Sequence, residues 1–231
     1  MAKIKRDKDQ KIKIGKAFAL HTLKFPYRRF LDSLGERLKW VHPDVISFIA
    51  LFVSFIIGFL YYYSLNIPFL LIINIFLIIL RMTLNTLDGL IALKIGRSSM
   101  LGKVVNALPD RYADLFILIG ITLSPLCNLK IGMFASLTVL LVSYSGMLGK
   151  AVGVSWQQQG PLDKVDRLFL LIGASLVQFI LIKLNHAWFI FLGMNTTVME
   201  LCMLLFILLG QITIINRVIG MVREIKKVES K

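Results

Sequence analysis

Six runs of apolar residues, each close to the length that crosses a bilayer, leave this chain few ways to fold. About 30 Å of hydrocarbon takes about 20 helical residues. Backbone N–H and C=O groups in lipid must be paired inside the protein, and a helix pairs them within one segment. The runs fall at roughly 44–63, 67–94, 99–125, 131–152, 165–184 and 195–219. Of the 231 residues, 57% are hydrophobic, against about 45–50% in a soluble domain, and the excess is gathered into these runs. The expected fold class is an all-α integral membrane protein with six transmembrane helices.

Residues 1–26 are polar and basic, and 27–41 alternate apolar and charged residues at helical spacing. Phe30, Leu31, Leu34, Leu38 and Val41 can share one face, the pattern of a helix lying in the membrane interface. This lead is not built like a signal peptide, whose short apolar core it lacks. The chain therefore divides into a basic segment with a juxtamembrane helix (1–42), a six-helix domain (43–220) and a basic tail (221–231). Tyr61, Tyr62 and Tyr63 end the first run as an expected interfacial belt, and Glu200 is expected to reach toward the outer interface.

A net charge of +14 would suggest nucleic acid in a soluble protein. Here the basic residues flank apolar runs, where they set topology and attract anionic headgroups, and no nucleic-acid motif is present. Lys94, Arg97, Lys103, Lys150, Lys164 and Arg167 cluster around the loops after the second and fourth runs, whereas the loops after the first, third and fifth hold only Lys130 and Lys183. This asymmetry places both termini in the cytoplasm; in a prokaryote the membrane would be the inner one. Cys127 and Cys202 lack metal-ligand spacing and read as small apolar residues.

Ionisable groups inside a bilayer are costly and usually mark function. Arg81, Asp88, Asp110, Arg111 and Asp114 all fall on the second and third runs, with Asn85 and Asn106. Asn85 and Asp88 share one helix face, as do Asn106, Asp110 and Asp114. If the two helices are antiparallel neighbours with level ends, the rise of about 1.5 Å per residue puts Asp88 near Asn106, Asn85 near Asp110 and Arg81 near Asp114. Asp114 is then either the ion-pair partner of Arg81 or a further metal ligand. Asn85, Asp88, Asn106 and Asp110 offer oxygen donors without histidine, a set suited to Mg²⁺ or Mn²⁺ serving a phosphate substrate. Gly89 and Gly102 could let a ligand approach the backbone or let helices pack. Pro109 frees the carbonyl of Val105 beside the site or merely kinks the helix.

Residues 85–114 read NTLDGLIALKIGRSSMLGKVVNALPDRYAD. This resembles the signature of the CDP-alcohol phosphotransferase family, Asp-x2-Asp-Gly-x2-Ala-Arg followed by Gly-x3-Asp-x3-Asp. Asp88, Gly89, Ala92, Gly102 and Asp110 match at the right spacing, Ser99 stands where a small hydroxyl residue is common, and Arg111 where a basic residue often follows. Asn85, Asn106 and Leu93 replace two aspartates and the arginine, the pattern of a divergent branch. A weaker resemblance extends through residues 160–171 and Arg217.

The resemblance implies a transferase that moves a phosphatidyl-type group from a CDP-linked lipid such as CDP-diacylglycerol to an acceptor alcohol, releasing CMP, in phospholipid biosynthesis. It implies one or two Mg²⁺ or Mn²⁺ ions held by Asp88, Asp110, Asn85 and Asn106, with Asp114 a further candidate. Asp110 would be the general base; Gly89, Ala92, Gly102 and Ser99 would line the cytidine pocket. It also implies a homodimer. Arg111, Lys164 and Arg167 are candidates for binding a substrate phosphate or lipid headgroup, and Lys94 or Arg97 for replacing the missing arginine. Two other readings stay open: a catalytically weakened relative that binds nucleotide, lipid or a partner, and a transporter using the acidic cluster. The repeats and broken helices common in transporters are not evident.

Overall fold

The computed structural model describes residue 36, residues 41–94, 100–191 and 193–230, with the side chains of 92–94 and 100–106 excepted. The 27–41 amphipathic helix lies outside the described residues except for Glu36, which is helical and exposed.

Six long helices carry the fold among the described residues: α1 Pro43–Tyr63, α2 Phe69–Lys94, α3 Met100–Leu123, α4 Leu129–Ala151, α5 Lys164–Lys183 and α6 Val198–Glu229. Five of them are long and apolar enough to cross a membrane. The sixth, α3, has similar length but carries Asp110, Arg111 and Asp114 in its middle, a load it bears by pairing those charges inside the bundle. The protein is thus an all-α membrane protein. The last helix runs ten residues past its expected end at 219.

Local chemistry sets the helix starts. Pro43 opens α1 behind an N-cap from His42, whose ring accepts from the Asp44 N–H. Asn128 caps α4 by accepting from Lys130 N. Asp163 and Asp166 form a reciprocal capping box at α5.

Packing follows the small residues. A Cβ on Gly120 of α3 would lie 2.0 Å from the carbonyl oxygen of Gly58 on α1, and one on Gly58 would lie 2.2 Å from that of Phe116. The two backbones therefore touch, as small residues allow in membrane bundles. Beyond this crossing, α1 packs on α2, α3 on α4, α4 and α5 on α6, and α2 on α5. Ile57, Leu71, Ile78, Ile121 and Phe206 are fully buried at the centre.

Two local expectations change, at Tyr61 and at residues 189–196. Tyr61 is buried, sharing a 2.7 Å hydrogen bond with Ser175 of α5, so only Tyr62 and Tyr63 are exposed in the belt. Glu200, in the first turn of α6, accepts from the backbone N–H of Asn128 at 2.8 Å. Residues expected to be loop or span form a short hairpin, β1 Phe189–Phe191 against β2 Met194–Thr196, antiparallel with Ile190 opposite Asn195.

Candidate active site

The charged side chains of α2 and α3 meet at the end of the bundle where α2 and α4 finish and α3 and α5 begin. Among the described residues these two helices do not pack closely on each other; α1 packs on both. The antiparallel pairing expected between α2 and α3 is therefore realised by side chains across a gap. Arg81, wholly buried, reaches from α2 to Asp114 on α3, with Nη2 2.7 Å from Oδ1.

Asp114 is also bound from α5. Arg167 Nη2 donates to its second oxygen at 2.7 Å, and all three side chains are nearly or fully buried. Arginine supplies planar, always-charged donors that suit a buried carboxylate. Each oxygen of Asp114 is thus engaged by an arginine, one of them the expected partner Arg81 and the other Arg167. A void of about 10 Å³ lies beside the triad among Ile117, Leu118, Leu168, Leu171 and Phe206, too small for more than about one water.

One turn toward the loops, Asp110 accepts from Lys164 Nζ at 2.6 Å, and each side chain is about a fifth exposed (21% and 22%). Asp88 is buried; its Oδ2 accepts from Ser47 Oγ of α1 at 2.8 Å, and it lies within electrostatic reach of Asp110 and Lys164. Asn85 is half-buried, and its amide nitrogen has no partner among the described residues. Gly89 is exposed, with no atom of the described residues within 4 Å of where a Cβ would stand. Arg111 points to α4, donating to Ser143 Oγ. Ala92, Gly102 and Asn106 lie on α2 and α3 where side chains are not described, and Ser99 lies outside the described residues.

The approach to α5 fixes Lys164 and Arg167. Arg217 of α6, almost fully buried, donates from Nε to the Gln159 carbonyl at 3.1 Å and from Nη1 to that of Val142, and stands 3.6 Å from Asp163. Thr213 Oγ1 accepts from Leu162 N at 3.0 Å. Gly160, at φ +127°, lies so close to Thr213 that a Cβ would come within 2.5 Å of it. Ser155 is held by Glu224 at 2.7 and 2.8 Å. Sequence reasoning missed Ser47 and the inward role of this loop; a serine within a strongly apolar first span was the available sign for the former.

No family model matches the chain. Among curated proteins it is 26% identical over 143 residues to archaetidylinositol phosphate synthase of Methanothermobacter thermautotrophicus, covering 62% of this chain and 66% of that one. It is 25% identical over 146 residues to the inner membrane protein YnbA of Escherichia coli, covering 61% of this chain and 72% of that one. Its fold is that of the phosphatidylinositol phosphate synthase PgsA1 of Mycobacterium tuberculosis. The structure of that enzyme with CDP-DAG bound superposes with TM-score 0.66 at 17% identity, over 84% of this chain and 94% of that one. Its complex with manganese and citrate gives 0.65 at 18%, over 83% and 88%. The chain thus has the fold of that synthase and carries on α2 and α3 a spaced motif that resembles the CDP-alcohol phosphotransferase signature.

Proposed function

We propose that this protein is a membrane transferase that moves a phosphatidyl-type group from a CDP-linked lipid to an acceptor alcohol in phospholipid biosynthesis. The observation that carries the reading is the partly exposed Asp110–Lys164 pair, within electrostatic reach of the buried Asp88, beside a buried Arg81–Asp114–Arg167 triad. The name of the archaeal relative and the bound lipid of the mycobacterial enzyme support the same chemistry.

In the reaction, Asp110 takes the proton of the acceptor hydroxyl. The oxygen attacks the lipid-bearing phosphorus, a new P–O bond forms, the P–O–P bond breaks and CMP leaves. Lys164 holds the Asp110 carboxylate at 2.6 Å in position for this, and Ser47 orients Asp88. Gly89, with no described side chain over its backbone, gives the nucleotide room; Ala92, Gly102 and Ser99 continue that pocket, and Arg111 serves the acceptor side.

A divalent cation fits here. The carboxylates of Asp88 and Asp110 and the amide oxygen of Asn85 form an all-oxygen donor set, and the Asn85 amide nitrogen, without a partner among the described residues, is a donor left for a phosphate oxygen. Bound Mg²⁺ or Mn²⁺ would neutralise charge on the diphosphate; Asn106 is a further donor. The basic end of the bundle faces the cytoplasm with both termini, residues 1–42 and 221–231 flank the 43–220 domain, and the protein works as a homodimer.

The test is CMP release by the full chain in lipid nanodiscs with CDP-diacylglycerol, Mg²⁺ or Mn²⁺ and a panel of acceptors including inositol phosphate. Release that disappears with chelator is expected. No release with any acceptor from folded protein would refute the transferase reading.

A further inference from the structure

We infer that this site takes a single divalent cation, and that the ammonium of Lys164 supplies the positive charge that a second cation would bring to Asp110. The inference deepens the transferase reading and rests on it.

Three observations lead here. The first is charge. Among the described residues the cluster holds three carboxylates, Asp88, Asp110 and Asp114, against four cations, Arg81, Arg111, Lys164 and Arg167. It is already positive by one before any ion enters. One divalent cation with the two negative charges of a diphosphate restores that same excess; a second cation would raise it to three, and uncompensated charge away from bulk water is costly.

The second is the ligand supply. Asn85 and Asn106 are neutral, and the third carboxylate, Asp114, is bound at 2.7 Å by an arginine on each oxygen. Among the described residues no group of three or more His, Cys, Asp or Glu side chains could hold a metal. Two carboxylates and amide oxygens suffice for one hard cation, whose remaining sites water and phosphate fill.

The third is the seat of Lys164. It is the first residue of α5, at the positive end of the helix dipole, where a cation is disfavoured. The fold nevertheless fixes it there. The capping box starts the helix, and Arg217 and Thr213 fasten the preceding loop. Its Nζ is brought to 2.6 Å from Asp110 Oδ1, at the place where a metal would neutralise the same oxygen.

The experiment is Mn²⁺ titration of the full chain in nanodiscs with CDP-diacylglycerol, read by electron paramagnetic resonance. One uncoupled Mn²⁺ per chain is expected. Lys164→Met should tighten that ion by about tenfold or more, because a repelling charge is removed, while Lys164→Arg should hold it as the unaltered chain does. Two ions per chain, or a spin-coupled pair, would overturn the inference and leave the transferase reading standing. So would unchanged Mn²⁺ affinity in folded Lys164→Met, or CMP release with no Mn²⁺ bound. Neither Mn²⁺ binding nor CMP release would sink the transferase reading itself. Should Lys164→Met not fold, the ion count of the unaltered chain still decides.

Discussion

Replacing Asp114 by asparagine removes one charge from the most deeply buried polar cluster of the bundle. The side chain keeps its size, so the change is electrostatic. Arg81 is 0% exposed and Arg167 4%, and each loses the carboxylate oxygen it holds at 2.7 Å. Removing one partner of a buried pair costs about 3–5 kcal/mol, because the other charge stays buried without compensation. For a chain of this size each kcal/mol moves Tm by about 2–4 °C, so a fall of roughly 6–20 °C is expected. The assay is thermal unfolding in detergent with a thiol-reactive dye, since Cys127 and Cys202 are both buried and free. Arg81→Met, Asp114→Leu and Arg167→Met together should recover much of the loss, because a whole buried ion cluster exchanged for apolar groups is often neutral or better. A folded Asp114→Asn variant that melts with the unaltered protein would refute the reasoning.

Other expectations follow from close contacts. Gly120→Ala would set a Cβ 2.0 Å from the Gly58 carbonyl oxygen and 2.4 Å from its Cα. Backbone must move, at a cost of about 1–3 kcal/mol or more, read as a lower melting temperature. Gly160→Ala meets φ +127° and the Cα of Thr213 at 2.8 Å; with about 1–3 kcal/mol of strain it should loosen the start of α5 and slow CMP release. Burial, with the charge of Glu200 adding, pushes the Cys127 thiol up to about 12. At pH 8 it stays protonated, so maleimide should label it about a thousandfold more slowly than a free cysteine. Labelling rate by mass spectrometry checks this.

Much of the architecture can be read from hydropathy, because each span needs about 20 apolar residues whatever its neighbours are. Arg81 and Asp114 can be matched in depth from the helical rise alone, and the two side chains meet. What the sequence conceals is which helices face one another. Lys164 lies 54 residues from Asp110 and Arg167 lies 53 from Asp114, and nothing local marks such partners. The same limit hides Tyr61, which pairs with Ser175 across 114 residues instead of joining the exposed tyrosines beside it. The hairpin at 189–196 is apolar, and its strands of three residues are too short for alternation to distinguish them from the end of a span.

Transfer itself tests the central claim most directly. Lipid product and CMP would be quantified together by mass spectrometry for the full chain and for Asp110→Asn, both in nanodiscs with CDP-diacylglycerol, Mn²⁺ and the acceptor panel. The account predicts one phosphatidyl product formed per CMP released, with Asp110→Asn slower by about 10²-fold or more. CMP without a lipid product, or an Asp110→Asn variant as fast as the unaltered protein, would contradict it.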